Sequence, residues 1–126
     1  MIAVAGLAAL QEKLRRLDLE AAKSSVLERA AIDLQDAVRR RLSHVPGESH
    51  EAPWRRSGAL ARSVSYALAG GIAIVGSDDP VAIDQECGTR TEPPRPFLAP
   101  TAAEEAPLLV EDMGAGVVSR LRAGLP

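Results

Sequence analysis

The sequence predicts an α+β domain: long helices laid over a small antiparallel sheet. Three observations carry this. Leucines and alanines recur every three or four residues through the first forty positions, the spacing of one helix face. A run of alternating apolar residues is broken once, by Gly70-Gly71, in the manner of a β-hairpin. The last quarter of the chain returns to helical spacing. At 126 residues, a single domain spanning 1–126 is the expectation.

The N-terminal helices are expected over 5–43. Leu7, Leu10, Leu14 and Leu17 form one stripe, and Leu27, Ala31, Leu34, Val38 and Leu42 form a second in a different phase. One straight helix cannot hold both stripes on one face. The spacing therefore predicts a short helix at 5–16, a break at Leu17–Asp18, and a long helix at 19–43. Asp18 would cap the long helix, Glu20 suits its positive end, and Arg39, Arg40 and Arg41 suit its C-terminus.

Residues 43–57, with two prolines, a glycine and no periodicity, predict a long loop. The hairpin follows at 60–76, with Val64, Tyr66 and Leu68 alternating before the Gly70-Gly71 turn and Ile72, Ile74 and Val75 after it. A short helix is expected at 80–87: Asp79 is a cap, Pro80 fits the first helical position, and Gly88 stands just past the end. A proline arm spans 89–100. The C-terminal helix is expected at 101–123, opened by a Thr101/Glu104 capping box and kinked or restarted at Pro107. Gly114 and Gly116 weaken it, so it must dock on something.

Composition bounds the function. Trp54, Tyr66 and Phe97 are the only aromatics, so the core must be built from Ala, Val, Leu and Ile, and its driving force is small for the length. Such a chain gains stability from neighbouring subunits. Through Tyr66 there are 11 basic and 8 acidic residues, and after it 4 basic and 9 acidic. This asymmetry suits either a nucleic-acid face or an acidic half of one subunit meeting the basic half of the next. No stretch is apolar enough to span a membrane, and no signal peptide is evident.

Candidate chemistry is sparse. Cys87 is the single cysteine and reads as a small buried hydrophobe. His44, Glu48, His50 and Glu51 lie close together, but their spacing matches no metal site. Ser57, Ser63 and Ser65 lack the constrained turn and base of a hydrolase nucleophile, and no phosphate-binding glycine motif is present. The expectation is a non-enzyme with no cofactor, no metal and no small-molecule substrate. Arg39, Arg40, Arg41, Arg55, Arg56 and Arg62 form a basic neighbourhood that could meet DNA phosphates without sequence preference, or acidic groups of another subunit.

Three segments carry a resemblance: "SGALARSV" (57–64), "VGSDDPVAIDQECGT" (75–89) and "PPRPFLAP" (93–100), followed by a C-terminal helix. In order and spacing the chain resembles the neck and tail-completion proteins of long-tailed bacteriophages, also called minor tail or head–tail joining proteins. That family shows a T/S-G-x-L-x-x-S motif, a tyrosine-alanine helix ending in E-aromatic-G-T, and a P-x-P-F arm. Ser57, Gly58, Leu60 and Ser63 match the first motif. Ala82, Glu86, Gly88 and Thr89 match the second, and Pro94, Pro96, Phe97, Leu98 and Pro100 the third. Val81 stands in place of the usual tyrosine and Cys87 in place of the usual aromatic.

The resemblance implies a structural virion protein, assembled in the bacterial host cytoplasm, that forms a ring at the head–tail junction. The ring, six-fold in expectation, would join connector, tail terminator and tail tube proteins, with DNA passing through its lumen. Pro94, Arg95, Pro96, Phe97 and Leu98 would be the gripping residues, since prolines stiffen the arm and lower its entropy loss on docking. Phe97 would anchor in an apolar pocket, either of a neighbour or of its own sheet. The arginines from Arg39 to Arg62 would face the lumen or a neighbour. Non-specific DNA binding through that basic region is the alternative function.

Overall fold

A computed structural model of the protein describes residues 6–16, 19–43, 53 and 57–123. Over these residues the chain runs α1 (Leu7–Arg16), α2 (Leu19–Arg41), α3 (Ala59–Ser63), β1 (Val64–Ala69), β2 (Ile72–Ser77), α4 (Pro80–Cys87) and α5 (Leu98–Ala123). The fold is α+β, as the sequence predicts. The break expected at Leu17–Asp18 and the cap by Asp18 lie outside the described residues.

Helix α2 is the spine. Of the expected stripe, Ala31 and Val38 are buried, as is Leu42 just past the helix end, while Leu27 and Leu34 are half-buried; Val26, Ala30 and Ala37 complete the buried face. It packs against α5 and against both strands. Helix α5 runs antiparallel to it. At one end Arg41 holds both oxygens of Glu104, at 3.0 and 3.1 Å. At the other, Arg120 donates to the Ser25 hydroxyl at 2.7 Å. Gly116 allows the close approach: a Cβ there would lie 3.2 Å from Val26. The C-terminal helix thus finds the docking partner that its weak propensity requires.

The hairpin begins four residues later than expected. Gly58, at φ 81°, turns the chain, and the Ser57 hydroxyl accepts the Ala59 N–H. Residues 59–63 then close one helical turn instead of opening a strand. Val64 leaves that turn extended, and register is unbroken from Val64↔Ser77 to Ala69↔Ile72. Gly70 and Gly71 both have positive φ, as a two-residue hairpin turn demands. Ser63 links the base of the hairpin, its hydroxyl 2.6 Å from that of Ser77.

Helix α4 has the expected bounds. The Asp79 carboxylate accepts the Val81 N–H, Pro80 occupies the first turn, and Gly88 ends the helix. The core lies where α2, β1, α4 and the arm meet: Val38, Leu42, Val64, Ala82 and Phe97, flanked by Leu34, Leu60 and Leu98.

Two expectations for the C-terminal helix are corrected. It starts at Leu98, and Thr101 is no cap: its hydroxyl donates to the Phe97 carbonyl, four residues back, from inside the helix. Pro107 does not interrupt it, and α5 is continuous from Leu98 to Ala123.

Candidate functional site

The arm is a folded element moored to α4. Thr89 opens it with a tight turn. Its N–H reaches the Glu92 carbonyl at 2.9 Å, and its hydroxyl accepts the N–H groups of Thr91 and Glu92. The Arg95 N–H then donates to the Gln85 carbonyl at 2.7 Å. Gly88 sits against Pro94 so closely that a Cβ would stand 2.7 Å from the proline nitrogen. With φ at 76°, that position accepts glycine and little else.

Glu86 closes the arrangement. Its carboxylate accepts the N–H groups of Phe97, Leu98 and Ala99 at 2.7, 2.9 and 2.9 Å, satisfying the orphan donors that begin α5. Burial pushes the Glu86 carboxyl up, but these three donors and the nearby Arg41 outweigh it and hold it below its ordinary value.

The predicted gripping residues are therefore distributed unevenly. Phe97 is fully enclosed in this chain's own core, so its ring is not available to a neighbour. Leu98 and Pro96 are half-buried. Arg95 pairs with Glu92 at 3.3 Å, and Pro94 is exposed beside Gly88. The stiffness of the arm serves the fold of its own subunit first.

The basic residues separate as well. The Arg39 guanidinium donates to the Val64 carbonyl at 2.6 Å, while its Nε is buried and unbonded among the described residues. Arg41 is held by Glu104, and Arg62 donates to the Ser57 carbonyl at 3.2 Å. Arg40 is exposed. Arg39, Arg40 and Arg62, with Asp36 and Ser43, line an open hollow of about 590 Å³ at the start of β1. Arg55 and Arg56 lie outside the described residues, as do His44, Glu48, His50 and Glu51 and most of the loop at 43–57.

Cys87 is exposed, which corrects the expectation that it is buried: at the last position of α4 it turns away from the core reached by Ala82. Ser57 and Ser63 bond locally in the turns they build. Among the described residues no cluster of three metal-ligating side chains forms, and no helix is long and apolar enough to cross a membrane.

The surface that sequence reasoning missed is the hairpin itself. Its inner residues, Val64, Tyr66 and Val75, face the helices. On the outer face Ala67 and Ala69 stand beside Ile72 and Ile74, which are 62% and 58% exposed. The signal was present: between Arg62 and Asp78 there is no charged residue. A second apolar feature, a groove of about 390 Å³ between α2 and α5, has Val26, Ile32, Leu109 and Met113 in its lining.

No protein-family model, curated protein or solved structure matches the chain.

Proposed function

We propose that this chain is a structural subunit of a multi-copy ring at the head–tail junction of a tailed phage or phage-derived particle, in the neck or tail-completion position. The observation that carries the reading is the uncovered apolar hairpin on a subunit with a small core. Such a surface is a liability in a monomer and an asset in an assembly. Val81, Ile83, Leu108 and Val110 add exposed apolar area elsewhere. The order of the three motif segments gives the reading its position in the particle. The ring is six-fold in this proposal, and its partners are connector, terminator and tail tube proteins.

Electron microscopy tests it. Purified protein, or the parent particle carrying a labelled copy, should show a closed ring, with label confined to the head–tail junction. Label distributed along the tail or absent from particles overturns the proposal. Non-specific DNA binding is the second reading, favoured by the hollow shared by Arg39, Arg40 and Arg62. The in-chain contacts of Arg39, Arg41 and Arg62 leave fewer donors for phosphate. A salt titration decides: six free phosphate contacts would give a log–log slope of about −5.

A further inference from the structure

We infer that the hairpin closes head to tail between copies of this chain, the β1 edge of one copy pairing antiparallel with the β2 edge of the next. In a two-residue hairpin the pair flanking the turn exchanges both hydrogen bonds, and bonding alternates from there. With Ala69↔Ile72 as that pair, Ala67 and Ser65 direct their backbone groups inward across the hairpin. Tyr66 and Leu68 on β1, and Ala73 and Val75 on β2, direct theirs outward. Outside the hairpin, no described residue bonds to those four backbones. Past Val64, whose N–H and carbonyl are taken by Ala61 and Arg39, both edges are therefore open among the described residues.

Neither edge carries the devices that keep edges apart. There is no charge or proline on either strand, and the register has no bulge. The two strands rest mainly on α2, and further strands would add to that support.

Charge selects the partner and the polarity. The start of β1 is basic: Arg62 and Arg40 are exposed there, and Arg39 already grips the Val64 carbonyl. The end of β2 runs straight into Asp78, which is exposed. Antiparallel pairing of one copy's β1 with the next copy's β2 brings the start of the first beside the end of the second. Arg62 then meets Asp78 of the neighbouring copy. Pairing β1 with β1, or β2 with β2, places those charges beside the uncharged Gly70-Gly71 turn instead. Unlike edges pairing in one direction form a heterologous contact, which closes into a ring when the rotation permits. The outer face of Ala67, Ala69, Ile72 and Ile74 then becomes one continuous apolar surface around it.

The inference shares with the proposed function only the need for copies to associate, and its test uses purified full-length protein. Two proteins are made in a Cys87→Ser background, one carrying Arg62→Cys and the other Asp78→Cys. They are mixed in equal amounts at near-millimolar concentration and oxidised. The mixed disulfide should exceed its statistical share several-fold over either homodimer. A statistical share, an excess of homodimers or no cross-link overturns the inference. Amide exchange on the unsubstituted protein is the second readout: the Tyr66, Leu68, Ala73 and Val75 amides should slow several-fold as concentration rises, and rates that stay flat overturn it equally. A mixed disulfide without junctional label overturns the phage position alone. Rings without the mixed disulfide overturn this inference alone.

Discussion

Removing the Glu86 carboxylate should loosen the α4–α5 junction more than a half-buried surface residue usually does. Its oxygens hold three N–H donors at 2.7–2.9 Å, at the positive end of a 26-residue helix. A side-chain cap contributes about 1 kcal/mol and a hydrogen bond to a charged group about 1.5–3 kcal/mol. The three do not add, because Ala99 is exposed and water replaces the carboxylate there. Glu86→Ala should therefore cost about 2–3 kcal/mol, and Glu86→Gln, which keeps one acceptor oxygen, about 1–2 kcal/mol. In a domain of this size about 1 kcal/mol moves the melting temperature by about 4 °C, so the Ala variant should melt about 8–12 °C lower. The pH dependence gives a sharper test. A carboxyl held below its ordinary value in the folded state contributes stability that is complete above the unfolded-state pKa and is lost as pH falls through the folded one. Thermal unfolding followed by circular dichroism should show the unsubstituted protein losing stability below about pH 4.3 more steeply than Glu86→Gln does. Equal melting temperatures for the two proteins across that range would refute the capping argument.

Phe97→Ala empties a fully enclosed site and should destabilise by about 3–5 kcal/mol, read as a shift in the urea midpoint. Arg95→Ala, which removes an i,i+3 pair with Glu92 but leaves the backbone bond to Gln85, should cost about 0–1 kcal/mol; a loss equal to that of Phe97→Ala would contradict the packing described. Gly88→Ala forces a side chain into positive φ and against Pro94, so about 2–4 kcal/mol is expected, and a neutral result would show that the arm is not tied to α4. Tyr66 is the single tyrosine and donates its hydroxyl to Glu28 at 3.0 Å, which raises its pKa above the ordinary 10.0. An ultraviolet absorbance titration should show that rise and its loss in Glu28→Gln, and identical curves would rule the contact out.

What was legible in the sequence was what neighbouring residues decide among themselves. Asp79, Pro80 and Gly88 fixed α4 because cap, first turn and stop all lie within ten positions. Gly70-Gly71 fixed the hairpin turn for the same reason. The errors fall where a distant group takes over. Thr101 and Glu104 look like a capping box, but Glu86, eleven residues before Phe97, already satisfies the donors, so the helix starts three residues earlier. Glu104 is drawn instead to Arg41, sixty-three positions away. The strand expected from residue 60 lost to the left-handed Gly58 and the Ser57 turn, which wind residues 59–63 into a helix first. Cys87 read as buried from its residue type, yet burial depends on which side of α4 faces the core, and Ala82 occupies that side. The basic residues form one neighbourhood in the sequence because they are close along the chain. Their partners, Val64, Glu104 and Ser57, lie in three different segments.

The residues that carry the phage resemblance have structural work within one chain. Gly58 supplies a left-handed turn, Ser63 ties the hairpin base, Glu86 caps α5, Gly88 admits Pro94, and Phe97 fills the core. A motif of that kind specifies how α4, the arm and α5 lock together, and it leaves the choice of partner to other residues. Recognition must then fall on surfaces outside the motif, where substitution does not break the fold. The hairpin meets that condition: its exposed side chains make no core contact, and the outward backbone groups of Tyr66, Leu68, Ala73 and Val75 are unbonded among the described residues. Substituting Ile72 or Ile74 by Lys should therefore leave folding intact, since surface changes usually stay within about 0.5 kcal/mol. The same substitutions add a charge to an otherwise uncharged hairpin and should abolish association between copies. Sedimentation at high concentration reads the association, and thermal unfolding reads the fold. Loss of both together would place those side chains in the core of the subunit. Retention of both would remove the hairpin from the interface and return the problem to the α2–α5 groove.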